Sequence, residues 1–184
     1  MTHTDVFVSG ADGYCCYRIP AIETAADGSL LAFAEARKYN RGDPGMQDNE
    51  IDLVLKRSTD GGATWSAMTI IEHAGEKWSA ANPATVGDRA NGRVWLFYLR
   101  CKPGRGTDKA RAGTDDLQTL ARTTDDHGRT WSAPIDLTGV ARDMKDPNWT
   151  SSVIGPGGAI QTRSGRLLAP AWSCPGRKLF AIYS

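Results

Sequence analysis

The sequence predicts an all-β protein folded as part of a β-propeller, and two repeats carry that expectation. The first is a turn. Ser58-Thr-Asp-Gly-Gly-Ala-Thr-Trp65 and Thr124-Asp-Asp-His-Gly-Arg-Thr-Trp131 share the order hydroxyl, any, Asp, any, Gly, any, Thr, Trp, 66 residues apart. The second is a hairpin in phase with that turn: residues 18–22 lead to 28–33, residues 82–86 to 92–97, and residues 158–161 to 165–170. Gly28, Gly92 and Gly165 open the three return strands, where a positive φ is needed. Each pass therefore holds two hairpins. Four antiparallel strands at a period of about 60–70 residues describe a propeller blade.

The elements follow in order. Strand-like runs at 51–57 and 117–122 precede the two turns, and each turn is followed by Ser-Ala and a short alternating run, 68–72 or 135–137. Within the turns, Asp60 and Asp126 are expected to accept hydrogen bonds from N–H groups two residues on. Gly62 and Gly128 allow positive φ, and Trp65 and Trp131 are expected to bury a ring between neighbouring hairpins. Ser58 and Thr124 open the motifs. A metal or catalytic role for the two aspartates finds no further ligand at fixed spacing, so the motif reads as structural. The last strand, 179–183, ends on Ser184, where the hydroxyl of a third turn would stand. Residues 1–184 thus read as the N-terminal part of a single propeller domain, about three blades, since closed rings take about 4–8.

Composition narrows the function classes. The chain has 184 residues with 22 Lys+Arg against 21 Asp+Glu, a net charge of +1. No basic field exists to drive binding to nucleic acid or anionic membrane. The longest apolar run, 94–99, is far short of the ~20 residues of a membrane span. The opening Met1-Thr2-His3-Thr4-Asp5 lacks a signal-peptide pattern, which points to a cytoplasmic protein, or to a secreted one if the true N-terminus lies upstream. Cys15, Cys16, Cys101 and Cys174 show no zinc spacing and read as reduced, buried thiols. His3, His73 and His127 have no partners in the sequence, and His127 reads as a solvated loop residue. No metal or cofactor is required by these patterns, although an acidic stretch over 43–52 leaves room for a structural calcium ion.

Arginine is costly inside an apolar strand unless it meets an anion. Arg18 lies in Tyr17-Arg-Ile-Pro-Ala-Ile22, and Arg37 ends the apolar run 30–37. An acidic, glycine-containing loop follows, with Asp43, Asp48 and Glu50. Two readings stand side by side. The arginines grip an anionic ligand beside the carboxylates, or they pair with Glu35 or Asp52 as structural ion pairs.

Tyr17-Arg18-Ile19-Pro20 resembles the Arg-Ile-Pro motif of exo-α-sialidases (neuraminidases) of the bacterial and animal type, and the two repeated turns resemble their Asp-boxes. The likeness continues through Asn82-Pro83 and Gly155-Pro-Gly157. It implies a six-bladed propeller of the sialidase type, about three blades of it in this chain. It also implies hydrolysis of terminal sialic acids from glycoproteins, gangliosides and oligosaccharides with retention, and no cofactor. By the same resemblance, Arg18 is the first of three arginines that clamp the sialic acid carboxylate, and Arg37 lies near the substrate's 4-hydroxyl. Asp43, six residues past Arg37, is the general acid/base, with Asp48 the runner-up. Asn82 resembles a residue near the N-acetyl pocket, and Trp172 one that contacts the glycerol tail.

The family's nucleophilic Tyr, its Glu and its other two arginines belong to the second half of the propeller. Tyr14, Tyr17, Tyr39, Tyr98 and Tyr183 do not occupy the nucleophile position. Sialidases use a Tyr nucleophile, so this chain alone is expected to turn over sialosides poorly. The competing readings are a non-catalytic Asp-box propeller that binds glycan or protein, and an inactive fragment. Open blade edges also suggest self-association.

Overall fold

The computed structural model describes residues 3–46, 48–176 and 178–184. Among these, strands form three successive antiparallel units. The first unit holds β1 (Cys16–Thr24), β2 (Leu30–Arg37), β3 (Ile51–Ser58) and β4 (Thr69–Glu72), paired in that order. The second holds β5 (Ser79–Gly87), β6 (Val94–Cys101), β7 (Leu117–Thr124) and β8 (Ile135–Asp136). One parallel bridge, Ile51 to Ser79, joins β3 to β5. A four-residue helix, α1 (Thr138–Ala141), then leads to the third unit. That unit contains β9 (Ser151–Ile154), β10 (Gly157–Gly158), β11 (Ile160–Gln161), β12 (Leu167–Cys174) and β13 (Leu179–Tyr183). The expected hairpins are all present. Gly28, Gly92 and Gly165 take φ of 83°, 76° and 94° at their returns.

The first strand of every unit departs from regular pairing at an X-Pro step. The β1–β2 register shifts between Arg18 and Ala21, at Ile19-Pro20, and the β5–β6 register between Ala81 and Ala84, at Asn82-Pro83. In the third unit the break goes further. Gly155-Pro156 separates β9 from β10, and the segment expected as one strand over 158–161 is itself divided at Ala159: β9 and β11 pair with β12, while β10 crosses to pair in parallel with β5. Proline lacks the N–H that a ladder needs, so a bulge or a break forms there.

The core lies between the units. Leu31, Phe33, Leu53 and Leu55 of the first pack against Leu96, Tyr98 and Leu120 of the second. Phe97, Leu99 and Leu117 of the second pack against Val153, Ile154, Ala169 and Ala171 of the third. The alternation of β6 therefore feeds two interfaces at once, which explains its unbroken apolar run. Buried Glu72 at the end of β4 also crosses an interface. It accepts hydrogen bonds from Tyr98 Oη at 3.0 Å and Arg122 Nη2 at 2.5 Å.

The repeated turns close the β3–β4 and β7–β8 hairpins with one bonding scheme. Ser58 Oγ accepts from the Gly62 N–H at 2.9 Å, and Thr124 Oγ1 from Gly128 at 3.0 Å. The aspartates reach further than the sequence suggests. Asp60 accepts from Thr64 N at 2.9 Å and Thr64 Oγ1 at 2.6 Å, and Asp126 from Thr130 N and Oγ1 at 2.8 and 2.6 Å. The N–H groups they hold lie four residues on, and for Asp126 also three, because the hydroxyl at the first position already occupies the inside of the turn. Gly62 and Gly128 have φ of 92° and 84°. A Cβ on Gly128 would come within 2.6 Å of Leu31 of the first unit, so this turn docks on its neighbour. Trp131 packs edge-on to Phe33 at 5.7 Å between ring centroids. Trp65 is half-buried and lines a polar cleft with Arg57, Gly128 and Arg129. His127 is half-buried rather than solvated, with its Nδ1 enclosed and 3.9 Å from Asp27 Oδ1. Among the described residues no helix is long and apolar enough to cross a membrane.

Hydrogen bonds from Thr64, then from Ser58, lower the Asp60 carboxyl to about 2, and Thr130 lowers Asp126 in the same way. A carboxyl depressed in the folded state stabilises it above the unfolded value and loses that contribution as pH falls. Stability measured by urea unfolding should therefore drop between about pH 4 and pH 2. Asp60→Asn and Asp126→Asn should each flatten that pH dependence. An unchanged slope in both variants contradicts this account of the turns.

Candidate active site

Arg18, Arg37, Asp43, Asn82, Asp108 and Trp172 line one cavity of about 380 Å³ that all three units share. The two bulges place two of these side chains. Ile19 has φ of 54° and Asn82 also has φ of 54°, a region that β-branched Ile19 rarely enters. Holding Ile19 there costs on the order of 1–3 kcal/mol. The strained step lies between Arg18, which faces the cavity, and Pro20.

Two guanidinium groups converge on one carboxylate oxygen. Arg18 Nη1 lies 3.0 Å from Asp43 Oδ1, and Arg37 Nη1 lies 2.9 Å from the same atom. Their surroundings differ. The Arg37 side chain is 1% exposed and that of Arg18 is 46%. Arg37 also donates to the carbonyls of Arg41 and Gly42 at 2.8 and 2.9 Å, which fixes the loop that carries Asp43. Its remaining donors, Nε and Nη2, meet Glu35 Oε2 at 3.0 and 2.6 Å. Burial opposes the charge on Arg37, but Glu35 and Asp43 outweigh it and hold the guanidinium protonated. Burial raises the Glu35 carboxyl, with Arg37 pulling the other way.

Of the two readings, the structural ion pair holds for Arg37, which is buried against Glu35, whereas Arg18 pairs with Asp43 and is the member open to the cavity. Asp52 takes no part in it and lies on the opposite face of the first unit. There Tyr14 Oη donates to Asp52 Oδ2 at 2.5 Å, and His73 Nδ1 meets Oδ1 at 2.7 Å. His73 thus has a partner that the sequence did not reveal.

The loop over 38–50 is held from inside by Asn49. Its Nδ2 donates to the carbonyls of Asn40 and Gly42 at 3.0 and 3.1 Å, and its Oδ1 accepts from Tyr39 N at 3.1 Å. The loop also rests on the second unit. A Cβ on Gly106 would stand 2.4 Å from the Pro44 carbonyl oxygen, and one on Gly45 would stand 2.4 Å from Gly106 N. Neither backbone leaves room for a side chain. Asp48 points elsewhere, paired with Lys77 Nζ at 2.8 Å.

Asn82 and Trp172 complete the wall. Asn82 N donates to Glu35 Oε1 at 2.9 Å, and its Nδ2 to the Ile154 carbonyl at 3.0 Å. Cys101 also lines the cavity, but burial pushes its thiol up to about 12, which removes it as a nucleophile. Among the described residues no tyrosine lines the cavity. Asp108 and Thr107, on the loop after β6, were missed from the sequence. That loop's contact with Gly45 is the signal, and it is visible only in three dimensions.

Comparison with known proteins shows the family and the fold. Residues 28–182 match the BNR repeat-like domain family. The chain is 33% identical over 177 residues to a sialidase of Bacteroides fragilis (strain YCH46), covering 88% of this chain and 31% of that protein. It is 32% identical over 173 residues to a sialidase of Micromonospora viridifaciens, covering 89% and 25%. Among solved structures, the Hadza microbial sialidase Hz136 superposes with a TM-score of 0.81 at 28% identity, covering 97% of this chain and 37% of that one. The chain therefore spans between a quarter and a third of the length of these two curated relatives. It belongs to the BNR repeat-like domain family, and its fold is that of a sialidase-type β-propeller carried through about three blades.

Proposed function

We propose that this chain supplies the first half of the site of an exo-α-sialidase, with a terminal sialic acid bound at Arg18, Arg37 and Asp43. The observation that carries the reading is the pair of guanidiniums meeting on Asp43 Oδ1, at 3.0 and 2.9 Å, at a cavity rim. Arg18 is the exposed member, so an incoming carboxylate replaces Asp43 as its partner and gains a charge-assisted bond. Asp43, released from Arg18, then faces the glycosidic oxygen as general acid and afterwards serves as base toward water. Arg37 stays bound to Glu35 and steers the loop. In this reading Asn82 contacts the N-acetyl group and Trp172 the glycerol tail, an assignment supported by their both lining the cavity. Asp43 is favoured over Asp48 because Asp48 is paired with Lys77 away from the cavity. Glycoproteins, gangliosides and oligosaccharides that end in sialic acid are the substrates of this reading.

The nucleophilic tyrosine and the remaining arginines come from outside these residues in this proposal. The 184-residue chain should bind sialic acid weakly and show little or no turnover of a fluorogenic sialoside. Binding measured by calorimetry should be lost in Arg18→Ala and kept in Asp48→Asn. Equal binding by wild type and Arg18→Ala favours instead a propeller that binds other ligands. Vigorous turnover abolished by Asp43→Asn overturns the division of the site.

Self-association draws support from β13. Leu179 is 84% exposed and Tyr183 63%. Sedimentation equilibrium should show a reversible dimer that Leu179→Asp dissolves, and a strict monomer at high concentration removes the idea.

A further inference from the structure

On the outer face of the first blade, away from the cavity, three metal-ligating side chains come together. One ligand atom from each of Glu50, Asp52 and His73 lies within 4.8 Å of the others. Glu50 and Asp52 are buried, with side chains 3% and 5% exposed, whereas His73 is 52% exposed and leaves a way in from solvent. Two buried carboxylates side by side demand positive charge. Glu50 has it from Lys38, whose Nζ lies 2.6 Å from Oε1. Among the described residues no Lys or Arg forms an ion pair with Asp52, which meets only the Tyr14 hydroxyl and the His73 ring.

The hydrogen bonds around the cluster are those that orient ligands from behind. Tyr14 Oη holds Asp52 Oδ2 at 2.5 Å and leaves Oδ1 toward His73. The Lys77 N–H holds Glu50 Oε2 at 3.1 Å and leaves Oε1 toward the Lys38 ammonium. Such outer partners fix the lone pairs that a metal takes. Lys38 is the group that an ion must displace, and its side chain is 41% exposed, free to swing into water.

We propose that Glu50, Asp52 and His73 bind one divalent first-row metal ion of the zinc class. The imidazole decides the class. Calcium takes about 6–8 oxygen ligands, whereas two carboxylates and one imidazole suit zinc, cobalt or nickel, with water in the open position. Ligand atoms about 2.0–2.2 Å from a tetrahedral ion stand roughly 3.3 Å apart, so small side-chain movements close the site. His73 Nδ1 and Asp52 Oδ1, at 2.7 Å, are nearer than that because a proton bridges them, and the metal replaces that proton.

The position gives the ion a purpose. Glu50 closes the stem of the Asp43 loop, where Lys38 N donates to its carbonyl at 2.9 Å. His73 belongs to the connection from β4 to β5. An ion at this point fastens the base of the loop to the connection that leads to the next blade, and it does so independently of any reading of the cavity.

The test uses the full chain, stripped with a chelator, in a His3→Gln, Cys15→Ser background that removes other surface ligands. Calorimetric titration with zinc chloride should show one saturable equivalent, cobalt should give a tetrahedral absorption band, and the melting temperature should rise with zinc. His73→Gln alters an exposed side chain and should keep the circular dichroism spectrum while losing all three responses. Asp52→Asn should lose them too. Absence of saturable binding, binding that survives His73→Gln, or equal stabilisation by calcium overturns the proposal.

Discussion

A single buried carboxylate, that of Glu35, connects the parts on which everything else rests. Its Oε2 holds Arg37 through two bonds, and its Oε1 accepts the Asn82 N–H from the neighbouring blade. At 0% exposure it cannot exchange these partners for water. Removing one member of such a buried pair leaves an uncompensated charge, typically about 3–5 kcal/mol. Through Arg37 the same carboxylate reaches the carbonyls of Arg41 and Gly42, and so the loop that presents Asp43. Blade packing, the β5 bulge and the acidic loop thus share one electrostatic anchor.

The cavity is a consequence of irregularity at the same place in each repeat. Ile19-Pro20, Asn82-Pro83 and Gly155-Pro156 interrupt the innermost strands, and residues at or beside all three interruptions line the cavity. Each proline forfeits a ladder hydrogen bond, and the backbone turns side chains toward the opening. The outer ends of the blades are regular by contrast. There the two Asp-boxes repeat the same bonds to within 0.1 Å, as in Ser58–Gly62 at 2.9 Å and Thr124–Gly128 at 3.0 Å. The repeated turns sit at one end of the blades and the cavity at the other.

Much of this was legible in the sequence because it is local. The hairpins, their glycines, the two boxes and the X-Pro steps are each read within about ten residues, where turn chemistry and alternation act. Arg18, Arg37, Asp43, Asn82 and Trp172, singled out from pattern and resemblance, all line the cavity. What stayed hidden depends on contacts between distant segments. Asn49 looks like any loop asparagine, although it is the inner support of the Asp43 loop. Glu72 and Arg122, Gly106 against Pro44, and His73 against Asp52 bring together residues that no spacing rule relates. The Asp-box aspartates reach N–H groups three and four residues on rather than two, since the competition with Ser58 and Thr124 for the inner N–H groups is a matter of geometry. The third blade's first strand was read as continuous, because the crossing of β10 to β5 depends on the neighbouring blade.

The central claim is that Arg18 is the exposed guanidinium of an anion site whose geometry is fixed by Arg37 and Glu35. The most direct measurement follows the arginine Nε–Hε resonances while sialic acid is titrated into the protein. The account predicts a saturable shift at Arg18, a smaller one at buried Arg37, and none at Arg89 or Arg166 on the far surface. Equal, non-saturating shifts at every exposed arginine, or a response at Arg89 and Arg166 with none at Arg18, would contradict it.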